Sequence, residues 1–104
     1  MPSFKPLHLS GPARRDIAGI SAYTEQQWGA EQKRTYLNQL RNAFKTLQAS
    51  PEIGSTREDI DQGLRAYLVG SHIIFYRSDK DVLSVVRVLH QSMDATRHLS
   101  PSDD

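Results

Sequence analysis

The side chains best suited to chemistry lie in the second half of this 104-residue sequence. Attack of an RNA 2′-hydroxyl on the adjacent phosphodiester needs a base, an acid and cations that stabilise the charged transition state. Candidates for these roles are Arg65, Tyr67, Tyr76, Arg77, Arg87 and His90. The same residues have a structural interpretation, because arginines on strands often pair with Asp or Glu across neighbouring strands. The sequence alone does not decide between the catalytic and the structural interpretation.

The segment that precedes these residues is acidic, which argues against an RNA substrate. Between positions 52 and 61 the acidic residues are Glu52, Glu58, Asp59 and Asp61, against the single basic residue Arg57. The formal net charge of the chain is only +1. Such an acidic segment repels phosphates, and general nucleic-acid binders are usually more basic than this chain. RNA cleavage is therefore the less favoured of the two interpretations. We expect no direct sequence-specific nucleic-acid binding.

Other kinds of chemistry find less support. There is no cysteine, which excludes disulfides, thiolate metal sites and a cysteine nucleophile. The histidines lack the paired spacing of metal ligands on a helix; they are His8, His72, His90 and His98. The six glycines are isolated, so no Gly-rich phosphate loop is present. The sequence predicts no catalytic residues, metal, cofactor or small-molecule substrate.

The first half of the chain predicts a strand and two helices. Phe4–Leu9 alternates weakly and Pro6 favours an edge position in a sheet. Ser10-Gly11-Pro12 is typical of a helix start, and Gly29 should end that helix because glycine tolerates positive φ. A second amphipathic helix follows and ends before Ser50-Pro51, which predicts a helical hairpin.

The second half predicts a loop and an antiparallel meander. Residues Pro51 to Gly63 have little apolar content and should form a loop. Three strands are expected at positions 64–69, 72–77 and 82–90, and a short helical turn at 93–99. The order β-α-α-β-β-β indicates an α+β fold, in which the hairpin covers the apolar face of the sheet as a single two-layer core. Residues 1–99 should form one domain and residues 100–104 a flexible tail.

Several local motifs, in this order and spacing, make the sequence resemble the ParE branch of the ParE/RelE toxin superfamily. They are Asp16-Ile17 through Ile20 to Tyr23-Thr24 with Trp28-Gly29; Ser50-Pro51 with Gly54 and Arg57; Gly63-Leu64-Arg65 with Gly70 to Arg77; and Val86 to His90 with Met93-Asp94. The resemblance covers about residues 4 to 99. The lysine-rich loop between helix and strand that is typical of RelE-type nucleases is not matched.

The resemblance implies a toxin of a type II toxin–antitoxin system. ParE toxins inhibit DNA gyrase and are neutralised by a co-expressed ParD-like antitoxin. RelE relatives of the same fold are messenger-RNA endonucleases that act in the ribosome, so the fold alone does not decide the function. We expect a gyrase inhibitor that acts by protein–protein contact, with a RelE-like nuclease as the alternative.

Two sets of residues are predicted to contact these partners. For gyrase we expect the end of the sheet and the segment after it: Arg65, Arg87, His90, Met93, Asp94 and Arg97. For the antitoxin we expect large aromatic side chains near the hairpin turn, namely Tyr23, Trp28 and Tyr36. An apolar groove along the hairpin and the Phe4–Leu9 edge are further candidates for antitoxin contact.

No stretch approaches the about 20 apolar residues that a membrane helix needs. The first residues also lack the apolar core of a signal peptide. We therefore expect a soluble, cytoplasmic protein that does not associate with membranes.

Overall fold

The computed structural model describes residues 4–99, which form a five-stranded sheet with two long helices. In chain order the elements are β1 (Leu7–Leu9), α1 (Gly11–Trp28), α2 (Ala30–Ala49), β2 (Ser55–Thr56), β3 (Arg65–Val69), β4 (His72–Ser78), β5 (Leu83–His90) and α3 (Ala95–His98). The expected α+β order is confirmed. The tail predicted at 100–104 lies outside the described residues. Within residues 4–99 no helix is long and apolar enough to cross a membrane.

The two long helices are joined by one residue, as the sequence predicts. The Ser10 hydroxyl accepts a hydrogen bond of 3.0 Å from the Ala13 N–H and donates one of 2.7 Å to the Val86 carbonyl. The first helix is therefore capped and tied to β5 by the same side chain. Gly29 has φ 95°, a conformation that glycine adopts without strain, and this residue separates α1 from α2.

The sheet has the strand order β1-β5-β4-β3-β2. All neighbouring strands are antiparallel except β1, which runs parallel to β5 at one edge. The first strand is shorter than the predicted Phe4–Leu9. Pro6 accepts from the Leu83 N–H at 2.9 Å but has no N–H to donate, and the Lys5 N–H bonds to the Gln48 carbonyl of α2 at 3.2 Å. The predicted loop is also interrupted: a 3₁₀ turn spans Pro51–Ile53, and β2 pairs Ser55–Thr56 with β3.

A bulge in β5 changes the direction of its side chains midway. Phe75 pairs with Arg87, whereas the next residue of β4, Tyr76, pairs with Val85, so Val86 is the extra residue. A bulge of this kind bends its strand and re-aims the side chains beside it. It lies where β1 ends, so the rest of β5 has no strand neighbour on that side.

The sheet has a core on each face, which corrects the prediction of a single two-layer core. The main core lies under α1 and α2, where Leu40, Leu47 and Ile74 are among the buried residues. A smaller core lies on the opposite face, because alternate residues of a strand point to opposite sides. It contains Leu64, Phe75, Leu89 and Leu99. The residues that close it come from the acidic loop and the C-terminal segment, two regions where the sequence shows little apolar periodicity.

Candidate functional site

Tyr76, a candidate for acid–base catalysis, is fully buried, and its hydroxyl makes two hydrogen bonds to the backbone. Its relative exposure is 0%. Its hydroxyl donates to the Pro51 carbonyl at 2.7 Å and accepts from the Gly54 N–H at 3.0 Å. Burial raises the pKa of Tyr76 above its usual value, which favours the neutral phenol. This side chain therefore anchors the turn after α2 and has no access to a substrate.

Arg65 and Arg77 also hold the acidic loop against the sheet. The Arg65 guanidinium donates to the carbonyl of Glu52 at 3.1 Å and to that of Gly54 at 2.7 Å. Arg77 forms an ion pair with Asp61. Neither arginine has an acidic partner on a neighbouring strand, which corrects the predicted cross-strand pairing. The Asp61 carboxylate of the loop instead neutralises Arg77 of β4.

Arg87 pairs with a helix. The Asp16 carboxylate in α1 accepts 2.7 and 2.8 Å hydrogen bonds from the Arg87 guanidinium and a 3.0 Å bond from the Val88 N–H. Both side chains are mostly buried. The hydrogen bond to Asp16 is the main cause of the raised pKa of Arg87. The pair thus covers the part of β5 that β1 leaves free, a place where an unpaired strand edge would otherwise be exposed.

Two histidines meet at the far end of the sheet. His72 in β4 lies directly opposite His90 in β5, and their rings meet edge to face with centroids 5.3 Å apart. The Tyr36 hydroxyl of α2 lies 2.5 Å from the His72 Nδ1 and also accepts from the Ser71 N–H at 3.0 Å. Burial lowers the pKa of His72, and the charge of His90 lowers it further. Both effects favour the neutral ring, which packs edge to face against Tyr36 and His90.

Beside these rings lies a mainly apolar hollow of about 280 Å³ between α1 and the sheet. Its lining residues are Gly19, Ile20, Tyr23, Thr24, His72 and His90. It is large enough for a bulky apolar side chain and carries no acidic or basic residue other than the two histidines. This hollow lies between α1 and the sheet, whereas the groove expected from the sequence runs along the helical hairpin.

The residues predicted for gyrase contact are only partly brought together. Met93 is 41% exposed, and its N–H donates to the His90 carbonyl at 2.9 Å. Asp94 caps α3 through the Thr96 N–H, and Arg97 is exposed in the same short helix. Arg87 is adjacent, because its guanidinium reaches the His98 carbonyl at 3.4 Å.

Arg65 is the exception among the six. It pairs with Tyr76 at the opposite end of β3 from Val69, the residue opposite His72. Four residues of strand separate these ends by about 13 Å. Arg65 therefore does not share a surface with His90 and Met93, and its guanidinium is occupied by the loop carbonyls.

The three aromatic residues predicted for antitoxin contact differ in their exposure. Trp28 is 71% exposed and Tyr23 is 63% exposed, so both present large apolar surface at the hairpin. Tyr36 is half-buried and packs over the β3–β4 turn at Gly70, where a Cβ would meet its ring at 2.7 Å. Tyr36 thus holds the hairpin to the sheet, and its hydroxyl is fully used in that contact.

Metal ligation has no geometric support in the part of the chain that the structure describes. Across residues 4–99, no group of three or more His, Cys, Asp or Glu side chains could hold an ion. The one close histidine pair, His72 and His90, already uses the Nδ1 atom of each ring in a hydrogen bond.

Comparison with known proteins identifies the family. Residues 7–95 match the family model described as the ParE toxin of the type II toxin–antitoxin system parDE. The chain belongs to the ParE toxin family. Toxin ParE1 of Caulobacter vibrioides is 40% identical over 95 residues, covering 91% of this chain and 98% of that protein. Toxin ParE1 of Mycobacterium tuberculosis H37Rv is 39% identical over 92 residues, covering 88% and 94%.

Solved structures support the same fold for this ParE-family chain. The chromosomal ParDE system from P. aeruginosa contains a chain that matches with a TM-score of 0.72 and 17% identity, covering 84% of this chain and 96% of that one. The toxin–antitoxin complex RelBE2 from Mycobacterium tuberculosis matches with a TM-score of 0.61 and 22% identity, covering 85% and 99%. At these identities the likeness shows the shared fold, which both ParE and RelE proteins have.

Sequence reasoning missed Asp16 and His72 as members of a site. Asp16 is 71 positions from Arg87, and no spacing rule connects a helix carboxylate with a strand arginine at that distance. His72 follows the β3–β4 turn and was considered only among the scattered histidines that lack metal-ligand spacing. The predicted meander contained a usable signal. With a tight turn at Gly70-Ser71, His72 begins β4 and therefore lies opposite the end of the antiparallel strand β5, where His90 is located.

Proposed function

We propose that this ParE-family toxin inhibits DNA gyrase by protein–protein contact and so blocks replication. It would act by binding more tightly to the state in which DNA is cut than to the resealed state. A ligand shifts such an equilibrium only through its differential affinity for the two states, so no catalytic group is needed. As a member of a type II toxin–antitoxin family, it would be neutralised by a ParD-like antitoxin.

The observation that supports the non-catalytic mechanism is that four of the six RNA-cleavage candidates are used as structural contacts. Tyr76 is buried and doubly hydrogen-bonded, and the guanidinium groups of Arg77 and Arg87 are paired with carboxylates. Arg65 is occupied by two backbone carbonyls. Catalysis of RNA cleavage would require these groups to be free to approach a phosphodiester within hydrogen-bond distance. The neighbouring acidic loop adds charge repulsion against RNA.

The surface best suited to gyrase is the end of the sheet with the segment that follows it. His90, Met93 and Arg97 are exposed there and close together in the chain. Met and Arg are both enriched in protein interfaces relative to the rest of the protein surface. Trp28 and Tyr23 project from the hairpin as candidate antitoxin contacts, and Tyr23 lines the apolar hollow together with His90, so the two predicted surfaces meet there.

The experiment that tests this function is a supercoiling and DNA cleavage assay with purified gyrase and the toxin freed from its antitoxin. We expect loss of supercoiling and accumulation of linear DNA linked to gyrase. Tyr76→Phe should keep this activity if it folds, since Tyr76 takes no part in contact with the target. Unaffected gyrase in the presence of folded toxin would contradict the proposal.

The same preparation tests the RelE-like alternative. Transcript ends are mapped after the toxin is induced, and new codon-specific 5′ ends would indicate ribosome-dependent cleavage. We expect none to appear before replication stops. Such ends together with unaffected gyrase would replace the proposed function with the nuclease.

A further inference from the structure

A second hollow lies along α2, with a volume of about 400 Å³. It is lined by Ala30, Lys33, Arg34, Leu37, Asn38 and Arg41. These positions recur every three or four residues, so they lie on one face of the helix over about three turns. Of these residues Leu37 also packs against the main core, whereas none of the six lines the apolar hollow near Tyr23 or belongs to the predicted gyrase surface.

The charge of this hollow is strongly basic although the whole chain is nearly neutral. Within Ala30–Ala49 the sequence has four basic residues and one acidic residue, a local charge of +3. Within 51–63 it has four acidic residues and one basic residue, a local charge of −3. The net charge of +1 therefore conceals a separation of charge between the helix and the loop, and none of the residues that line the hollow is acidic.

The cations of the hollow are available to a partner. Arg34 and Arg41 are exposed and form no ion pair within residues 4–99. Arg41 makes one long contact of 3.4 Å with the Asn38 side chain. Lys33 is paired with Glu25 at 3.1 Å, an exposed pair that contributes little to stability and can exchange for another carboxylate. By contrast, the guanidinium groups of Arg77 and Arg87 are already paired with carboxylates of the same chain.

The floor of the hollow determines what kind of anion fits. Leu37 is half-buried against the main core and Ala30 lies about two helical turns before it, so the base of the hollow is apolar. A nucleic-acid backbone would use the cations and leave this apolar floor uncovered. A peptide that carries a bulky apolar side chain between carboxylates covers the floor and pairs with the rim at once.

We propose that this hollow is a docking site for an acidic, amphipathic segment of the antitoxin. An apolar side chain of that segment lies on Leu37, and flanking carboxylates bind Arg34 and Arg41. The charge complementarity gives speed and selectivity of association, because a basic patch attracts an acidic chain at long range. The inference rests on the toxin–antitoxin part of the proposed function and is independent of gyrase as the target.

The test compares two double charge reversals that change the net charge equally. Arg34→Glu with Arg41→Glu alters the hollow, and Arg14→Glu with Lys80→Glu alters exposed positions elsewhere. Affinity for the purified antitoxin from the adjacent reading frame is measured at low and high salt. We expect the first variant to bind at least about tenfold more weakly at low salt, with most of the difference gone at high salt. The control variant should stay within about twofold of the unaltered protein.

A charge exchange makes the assignment specific. Glu or Asp residues of the antitoxin segment are changed to Arg, and we expect these variants to regain affinity for Arg34→Glu/Arg41→Glu. Equal weakening by both double variants, or no weakening by either, would overturn the docking site. A variant that binds antitoxin normally but loses binding to a 30-base-pair DNA duplex would overturn it in favour of phosphate binding.

Gyrase inhibition by the same variants separates this inference from the proposed target. We expect Arg34→Glu/Arg41→Glu to inhibit gyrase as the unaltered toxin does while it escapes neutralisation. If the unaltered toxin fails to inhibit gyrase but binds antitoxin through the hollow, the target is wrong and the docking site stands. If the unaltered toxin does not bind the antitoxin, both the docking site and the antitoxin partner are wrong.

Discussion

Asp16 of α1 and Arg87 of β5 are joined by two hydrogen bonds of 2.7 and 2.8 Å, although they lie 71 positions apart. The same carboxylate accepts a third hydrogen bond from the Val88 N–H at 3.0 Å. One side chain thus satisfies a mostly buried guanidinium and a backbone donor at the free edge of β5. Arg87 was predicted to contact gyrase, and this geometry gives it a structural role that must be separated from any contact with the target.

Removal of either partner should destabilise the fold. Asp16→Asn leaves the Arg87 guanidinium without its counter-charge in a site where both side chains are mostly buried. We expect a loss of about 2 kcal/mol in the free energy of unfolding, since an unpaired charge of this kind is costly. Urea unfolding measures it. The exposed pair of Lys33 and Glu25 is the matched control, for which Glu25→Gln should cost less than about 0.5 kcal/mol.

The role of Arg87 in toxicity follows from the same comparison. If Asp16→Asn and Arg87→Met reduce toxicity in proportion to their loss of stability, Arg87 acts through the fold. A double-mutant cycle in unfolding free energy should show a coupling of about 1 kcal/mol or more. Loss of gyrase inhibition by Arg87→Met but not by Asp16→Asn, with both proteins equally folded, would place Arg87 in the target contact after all.

Local signals account for most of what was predictable. The strand bounds expected from alternation differ by one residue or less at each end of β3, β4 and β5. The Ser10 cap and the Gly29 break were likewise identified correctly, because caps and positive-φ positions depend on neighbouring residues in the sequence. The two-residue β2 was missed, since so short a strand has no periodicity and depends on the loop being held by Tyr76 and Arg65.

The site was less predictable than the fold because its contacts are long-range. His72 and His90 are 18 positions apart, and only their pairing across β4 and β5 brings the rings together. The grouping of Arg65 with His90 and Met93 assigned all three to one end of the sheet and the segment after it, but position along a strand decides which end of the sheet a residue occupies. Composition cannot show whether an arginine is free, as Arg34 is, or bound, as Arg65 is.

The contact between Tyr76 and Gly54 should tolerate no added volume. A Cβ on Gly54 would clash with the Tyr76 ring and hydroxyl. We expect Gly54→Ala to destabilise the fold by about 2 kcal/mol or more, through strain and the loss of buried hydrogen bonds. Tyr76→Phe should cost about 1–3 kcal/mol, because it leaves the Gly54 N–H and the Pro51 carbonyl without that partner.

The double variant shows whether these two effects share a cause. Tyr76→Phe removes the hydroxyl that is nearest to the added Cβ, so Gly54→Ala should cost less in that background, by about 1 kcal/mol. The measurement is thermal or urea unfolding of all four proteins. Gly63→Ala is a poor control because Gly63 has φ 78°, whereas Gly19→Ala, at an open helical position, should be neutral or stabilising. Strictly additive costs at Gly54 and Tyr76 would contradict the clash.

Stability should fall on acidification because of His72. The groups that face it are Tyr36 on α2, His90 on β5 and, at longer range, Asp16 on α1, which alone favours its charged form. The pKa of His72 in the folded protein lies below the ordinary 6.5, so the unfolded chain binds this proton more readily. The stabilising contribution is therefore complete above about pH 6.5 and is lost as the pH falls through the folded pKa.

This pH dependence is measured by urea unfolding between pH 7.5 and pH 5. His72→Phe keeps an aromatic ring between Tyr36 and His90 but cannot titrate. We expect its stability to depend less steeply on pH than that of the unaltered protein, whatever its absolute stability. His8→Gln is the control, since His8 is exposed on the edge strand and should leave the slope unchanged. Equal slopes for the unaltered protein and His72→Phe would show that His72 is not the titrating group.

Met93 provides the sharpest test of the predicted gyrase surface. Its side chain is 41% exposed beside His90, and it belongs to neither core cluster. Met93→Ser should therefore leave the unfolding free energy within about 0.5 kcal/mol of the unaltered value. If Met93 anchors the contact, the concentration of toxin that halves gyrase supercoiling should rise at least about tenfold, which corresponds to about 1.4 kcal/mol and exceeds the cost of truncating most interface residues.

Leu68→Ser is the matched control for Met93→Ser, because Leu68 is an equally apolar residue that is 59% exposed on β3. β3 is separated from β5 by β4, so this substitution removes exposed apolar surface at a different place on the sheet. We expect Leu68→Ser to inhibit gyrase normally. If Met93→Ser is also normal, the variants His90→Ser and Arg97→Ser are measured next. Full inhibition by all three folded proteins would remove this end of the sheet from the gyrase contact and leave the exposed hairpin as the surface to test.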